Sequence, residues 1–62
     1  MIKIGLFGVG HLGKIHLKCL QELPEVYEII GIYDTDKNAA KYAADTFGVK
    51  VFDNPQTLIE AV

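Results

Sequence analysis

Ile2, Ile4 and Leu6 occupy alternate positions between Met1 and Phe7, the period of a strand with one apolar face. From Gly10 the pattern changes to a helical one that runs to Leu23. Turned about 100° per residue, Leu12, His16, Cys19 and Leu23 fall at the centre of one face, with Ile15 and Leu20 flanking it. Lys14, Lys18, Gln21 and Glu22 point away, which predicts an amphipathic helix lying on a sheet. His16 is then read as a packed, hydrogen-bonded histidine and Cys19 as a small buried hydrophobe. Pro24 ends this helix, because its ring removes an N–H and disfavours helical backbone at the residue before it.

Tyr27 to Tyr33 is nearly continuous in apolar character, with Ile29, Ile30 and Ile32, as expected of a central parallel strand buried on both faces. Gly31 interrupts it, either to admit the first helix or as a bulge. Asp34, Thr35 and Asp36 are N-cap candidates for a second helix over Lys37 to Phe47, which Gly48 stops. Ala39, Ala40, Ala43 and Phe47 line one face of that helix. Val49 to Phe52 is a short third strand. Asn54 and Pro55 then form a cap and a favoured first position for a third helix, with Leu58, Ala61 and Val62 on one side.

The sum is an α/β fold: a Rossmann-type parallel sheet, β-α-β-α-β plus the start of a third helix, with strand order 3-2-1 and right-handed crossovers. That is half of a doubly wound domain. Two crossover helices cover one face of the sheet; the other has only the helix opening at Pro55, and the first strand has an unpaired outer edge. Parallel sheets are normally covered on both sides. The expectation is therefore a homo-oligomer, formed through the open face with Ile2, Ile4 and Leu6 near the contact, or by edge-to-edge pairing of first strands.

Between the first strand and the first helix lies Phe-Gly-Val-Gly-His-Leu-Gly, in which Gly8, Gly10 and Gly13 spell G-x-G-x-x-G. With six glycines in 62 residues the triplet alone is weak evidence. Its position at a strand-to-helix turn strengthens it, and so does Asp34, 21 residues after Gly13 at the end of the second strand. Gly8 permits the tight turn, Gly10 carries no side chain to hold a pyrophosphate off the backbone, and Gly13 lets the helix lie close to the strand. The amides of His11, Leu12 and Gly13 are orphan donors of a helix N-terminus, aimed at an anion. A cationic His11 imidazole near the phosphates is an equal alternative to a role for its backbone alone. Asp34 suits ribose hydroxyls, and Thr35 beside it completes the expected cofactor-binding set. NAD is expected over NADP, since Asp34 faces a 2′-phosphate as a like charge, partly offset by Lys37.

A net charge of −2 gives no basic surplus for phosphate backbones, which argues against nucleic acid. No apolar run approaches a membrane span, and Met1 leads straight into the strand without a cationic leader. Cys19 is the only cysteine, so no intrachain disulfide forms, and His11, His16 and Cys19 lack a zinc spacing. A reducing, cytoplasmic setting is the expectation.

These pieces together resemble the Gfo/Idh/MocA family of NAD(P)-dependent sugar oxidoreductases. The likeness rests on Ile4 to Gly13 with His16, on Ile29 to Asp34, on the Ala-rich helix ending in Phe47-Gly48-Val49-Lys50-Val51-Phe52, and on the Pro55 to Leu58 opening. The resemblance implies pyrophosphate on Gly8 to Gly13, the adenosine ribose on Asp34, and a parent that oxidises a sugar, polyol or related CH–OH substrate. It also implies that residues 1–62 are the amino-terminal part of a dinucleotide-binding domain. In that family the catalytic lysine of a Glu-Lys-Pro motif and the substrate domain lie on later segments, so no catalytic residue is expected here and the chain alone is expected to be inactive.

Two other classes share the glycine triplet. Dinucleotide sensors that gate channels usually pass from first helix to second strand through a short glycine turn, where this chain has Leu23-Pro24-Glu25-Val26. Methyltransferases normally carry an acid just before the glycines, where this chain has Phe7. The sensor is the stronger of these alternatives.

Overall fold

The computed structural model describes all 62 residues as β1 (Ile2–Phe7), α1 (His11–Gln21), β2 (Tyr27–Tyr33), α2 (Lys37–Phe47) and α3 (Pro55–Ala61). The two strands run parallel, joined by α1 as the crossover. Their pairing slips between Ile4, opposite Ile29, and Gly5, opposite Gly31, so that Ile30 is the extra residue of a bulge. The bulge lets Ile29 and Ile32, three apart, pack on the same cluster, which strict alternation forbids. The Rossmann-type parallel arrangement expected from the sequence is the one observed.

The third strand contracts to a bridge. The Ile32 N–H donates to the Lys50 carbonyl and the Phe52 N–H to the Ile32 carbonyl, both at 2.8 Å, pairing Ile32 with Val51 on the far side of β2 from β1. Gly48 ends α2 in the left-handed region at φ 68°, and Asn54 already caps α3 through the Gln56 N–H. Little room is left between them for a longer ladder. Of the two readings of Gly31, the bulge lies beside it, while the close neighbour is the Phe52 ring and not the first helix; a Cβ on Gly31 would overlap that ring.

The core is small: Val9, Leu17, Ile32 and Ala43 are fully enclosed, and Leu6, Ile29, Phe47 and Val51 pack against them. Leu6 therefore faces α1 and α2, and by alternation so does the row Ile2, Ile4, Leu6. This corrects the expectation that the row lines the open face. On the opposite side Leu58 of α3 is fully buried over Gly5, where a Cβ would sit 2.9 Å from the leucine. The open face is thus partly covered, and Phe7 and Ile59 remain about half exposed.

The first helix is rotated from its expected setting. Leu17 is fully buried, whereas Leu12, Ile15, His16, Cys19 and Leu23 are exposed. His16 is therefore not a packed histidine, nor Cys19 a buried one. By 100° per residue the inward line is Gly13, Leu17 and Leu20, about a quarter turn from the predicted face. The cause is Gly13, whose close approach to the Gly8 carbonyl fixes which side of α1 meets the strand. Residues expected to point away instead meet α2: the Lys14 ammonium lies 4.6 Å from the Tyr42 ring centroid, and Gln21 Nε2 donates to the Phe47 carbonyl at 2.8 Å. Helix α2 matches its predicted limits, with Ala40 and Ala43 buried. No helix is long and apolar enough to cross a membrane.

Candidate dinucleotide site

The glycine loop leaves the carboxyl end of β1 and is held by three features of its own sequence. Gly8 turns at φ 83°, a conformation a side chain would strain, while its N–H donates to the Tyr33 carbonyl at 2.9 Å and keeps the loop beside β2. Val9 plugs into the core at 1% exposure. Gly13 then sits so close to Gly8 that a Cβ would overlap the Gly8 carbonyl oxygen and lie 3.0 Å from its carbon.

Gly10 differs from the other two. Its φ of −68° is open to any residue, and a Cβ there would meet no protein atom within 4 Å. No steric demand from the protein accounts for a glycine at this point, yet it is the N-cap of α1 and supplies no capping side chain. The helix ladder begins with the Lys14 N–H on the Gly10 carbonyl at 2.9 Å, so the amides of His11, Leu12 and Gly13 lie outside it. No acidic residue stands in that first turn. An uncapped first turn, a partial positive charge and an open surface in front of them suit an anionic group.

Asp34 comes to this loop directly. One carboxylate oxygen accepts the Val9 N–H at 2.8 Å and the other accepts the Asp36 N–H at 2.9 Å. These two bonds, that from Val9 first, hold its pKa below the ordinary carboxylate value against a smaller opposing effect of burial. Of the three cap candidates, Asp36 is the cap of α2, accepting from the Asn38 and Ala39 N–H groups. Thr35 is exposed between the two aspartates.

The structure thus brings Gly8, Gly10, His11, Leu12 and Gly13 to one edge and joins Asp34 to them through the Val9 amide, while Thr35, next along the chain, faces a cleft and not the glycines. This cleft of about 370 Å³ adjoins Asp34 but not the glycines; Tyr33, Thr35, Lys37, Phe52 and Asp53 are among its walls. The Phe7 and Tyr33 rings, 5.9 Å apart and tilted by 55°, pack together at the carboxyl ends of the strands. Sequence reasoning missed two features of this region, the Val9 amide that binds Asp34 and the cleft walls contributed by Phe52 and Asp53. The G-x-G spacing marks the position of Val9, but only its backbone takes part.

A family model described as an oxidoreductase family with an NAD-binding Rossmann fold, Gfo/Idh/MocA, matches residues 2–62. Glucose-6-phosphate 3-dehydrogenase of Bacillus subtilis (strain 168) is 36% identical over 61 residues, covering 98% of this chain and 17% of the relative. Two solved structures of UDP-N-acetylglucosamine 3-dehydrogenase from Acidithiobacillus ferrooxidans superimpose with TM-scores of 0.81 and 0.78 at 26% and 28% identity. They cover 98% and 100% of this chain. The chain spans about a fifth of the length of the proteins it matches. These relatives are dehydrogenases, and nothing among them favours the sensor alternative.

Proposed function

The chain belongs to the Gfo/Idh/MocA oxidoreductase family, with its NAD-binding Rossmann fold, and from that premise we propose that it forms the pyrophosphate and adenosine half of a nicotinamide-dinucleotide site. The parent activity in this reading is oxidation or reduction at a CH–OH carbon of a sugar, polyol or related substrate, with the cofactor supplying the hydride chemistry when bound. Residues 1–62 serve as the amino-terminal part of the dinucleotide-binding domain.

The observation that carries the reading is Gly10: a glycine that the protein's own packing does not require, at the one long helix N-terminus left without a side-chain cap. The pyrophosphate sits on the amides of Gly10 to Gly13, with Gly8 shaping the turn. His11 and Leu12 contribute their backbone. Asp34 accepts the ribose hydroxyls through lone pairs left free by its two backbone bonds, Thr35 borders the ribose, and the adenine extends into the cleft beside Phe52. Support for NAD over NADP comes from Asp34, held ionised beside the ribose. Its Coulomb repulsion of each unit of charge on a 2′-phosphate at 4 Å is about 1–4 kcal/mol between bulk water and an effective dielectric of 20, about tenfold in affinity after screening and the nearby Lys37.

A heteronuclear NMR titration tests both parts. NAD shifts the amides of Gly10 to Gly13 and the surroundings of Asp34 first, at about a tenfold lower concentration than NADP. Shifts centred elsewhere refute the site, and equal response to both cofactors refutes the role of Asp34 in choosing between them.

We also propose self-association of the isolated chain. The apolar stripe of Leu12, Ile15 and Leu23 is exposed, as is Val26, and the outer edge of β1 is unpaired. A monodisperse monomer in sedimentation at tens of micromolar contradicts this.

A further inference from the structure

We propose that Asp34 is a positioning residue for the phosphate loop, locking the amide ridge of Gly10 to Gly13 in its receptive shape even before any ribose is bound. The inference rests on the dinucleotide reading above and deepens it. Ribose recognition needs only a carboxylate at the carboxyl end of β2. It does not need that carboxylate to be bonded to the loop, and here it is.

The bond network is continuous from strand to helix. The Tyr33 carbonyl accepts the Gly8 N–H at 2.9 Å, and the next side chain along, Asp34, accepts the next amide along, that of Val9, at 2.8 Å. Two successive loop amides are thus fastened to the last residue of β2 and to the residue that follows it. The other Asp34 oxygen accepts the Asp36 N–H, which ties the same carboxylate to the start of α2. Val9 is the residue between the first two glycines, and its side chain is enclosed by the core. Its amide is therefore pinned at both ends, by packing on one side and by a charged acceptor on the other. Gly10, which follows, has neither a side chain nor an amide bond to the protein to hold it. Without the Asp34 bond, the Gly8 bond to Tyr33 and the contact of Gly13 with Gly8 still hold the two ends of the loop, but only side-chain packing holds Val9 itself, and a glycine-rich turn explores more backbone conformations than other segments. A charge-assisted hydrogen bond is stronger than a neutral one, and leaving the amide of the buried Val9 unpaired has its own cost.

The consequence separates this role from ribose binding. Pyrophosphate alone has no ribose, and Asp34 is a like charge near it. If Asp34 acts only on the ribose, removing its charge leaves pyrophosphate affinity unchanged or raises it. If Asp34 locks the loop, removing it weakens pyrophosphate binding. Both roles bear on cofactor choice: Asp34→Ser relaxes the preference for NAD, and NAD affinity falls through the lost ribose bonds and the loosened loop together.

The experiment is titration of inorganic pyrophosphate into the full chain and its Asp34→Ala variant, followed at the amides of Gly10 to Gly13. The expected result is binding by the parent chain and at least a fivefold loss in Asp34→Ala. Because that variant also loses the Asp36 bond, a second molecule isolates the loop contact: the chain made by chemical synthesis with the Val9 N–H replaced by an ester oxygen, leaving Asp34 and its charge in place. It too is expected to bind pyrophosphate at least fivefold more weakly, and it decides the matter if Asp34→Ala does not give a folded spectrum. Unchanged or tighter pyrophosphate binding in the ester analogue overturns the lock and leaves the dinucleotide site intact. A parent chain that responds to neither pyrophosphate nor NAD overturns the site, and the lock with it.

Discussion

Helices α1 and α2 are each 11 residues long, yet their N-termini are finished in opposite ways. At α2, Asp36 turns its carboxylate onto the Asn38 and Ala39 amides at 2.9 and 3.2 Å, so the helix carries its own anion. At α1 the equivalent place is Gly10, which offers no acceptor, and the first-turn amides face an open surface. A capping side chain contributes about 1 kcal/mol relative to alanine but only a few tenths relative to glycine. Helix α1 forgoes those few tenths in a chain with only seven buried residues of 62. The difference separates a helix end built for stability from one left available to an external anion.

The comparison breaks most severely at Gly13. Gly13→Ala places a methyl group into the Gly8 carbonyl and forces α1 away from the strand. The expected loss is on the order of 2–3 kcal/mol, against a total stability of roughly 3–9 kcal/mol for 62 residues. Thermal unfolding followed by circular dichroism checks it; a melting curve matching the parent would show that the helix does not depend on that close approach.

Next in size is the capped end. Asp36→Ala removes the acceptor of two first-turn amides and lowers stability by about 1 kcal/mol, seen as a lower urea midpoint, while leaving NAD binding within about twofold. If Asp36→Ala instead abolishes NAD binding with the fold retained, the two ends are not functionally distinct.

The smallest effect is that of acid. Asp34 has its folded pKa lowered, chiefly by the Val9 amide and then by that of Asp36. The unfolded chain therefore takes up its proton first as pH falls. The stabilising contribution is complete above the ordinary carboxylate pKa and is lost as pH drops below it through the folded value. Urea midpoints across that acid range are expected to slope less steeply in Asp34→Asn than in the parent, and parallel slopes would contradict the bond.

Much of this was legible in the chain itself. Tyr27 to Tyr33 and Lys37 to Phe47 were readable because turn residues and caps bracket them on both sides, with Asp36, Gly48, Asn54 and Pro55 acting through local chemistry alone. The setting of α1 was not, because that stretch has two apolar lines: Leu17 and Leu20, and Leu12, Ile15 and Cys19, the latter extended by Leu23 beyond the helix end. The longer line points outward. Periodicity weighs apolar residues and gives a glycine no weight, so it overrode the one sign of the true rotation, the glycine fingerprint that sets Gly13 against the strand. The third strand was overestimated for a related reason, since apolar character over Val49 to Phe52 does not reveal how soon the next cap begins. At the site, the glycines and Asp34 were legible as a fingerprint. The bond between them was not, because its donor is a backbone amide that any residue at position 9 would present.

The most direct test converts one helix end into the other. Gly10→Ser gives α1 a capping hydroxyl in the open space before its first turn, where no protein atom stands in the way. Stability should stay level or rise by a few tenths of a kcal/mol, since serine caps at least as well as glycine. NAD affinity, measured by calorimetry or by NMR titration, should fall at least tenfold, about 1.4 kcal/mol, because the new side chain occupies both the amides and the approach to them. A Gly10→Ser chain that folds as before and binds NAD as tightly as the parent would contradict the account: the uncapped end of α1 would then not be where the cofactor's phosphates sit.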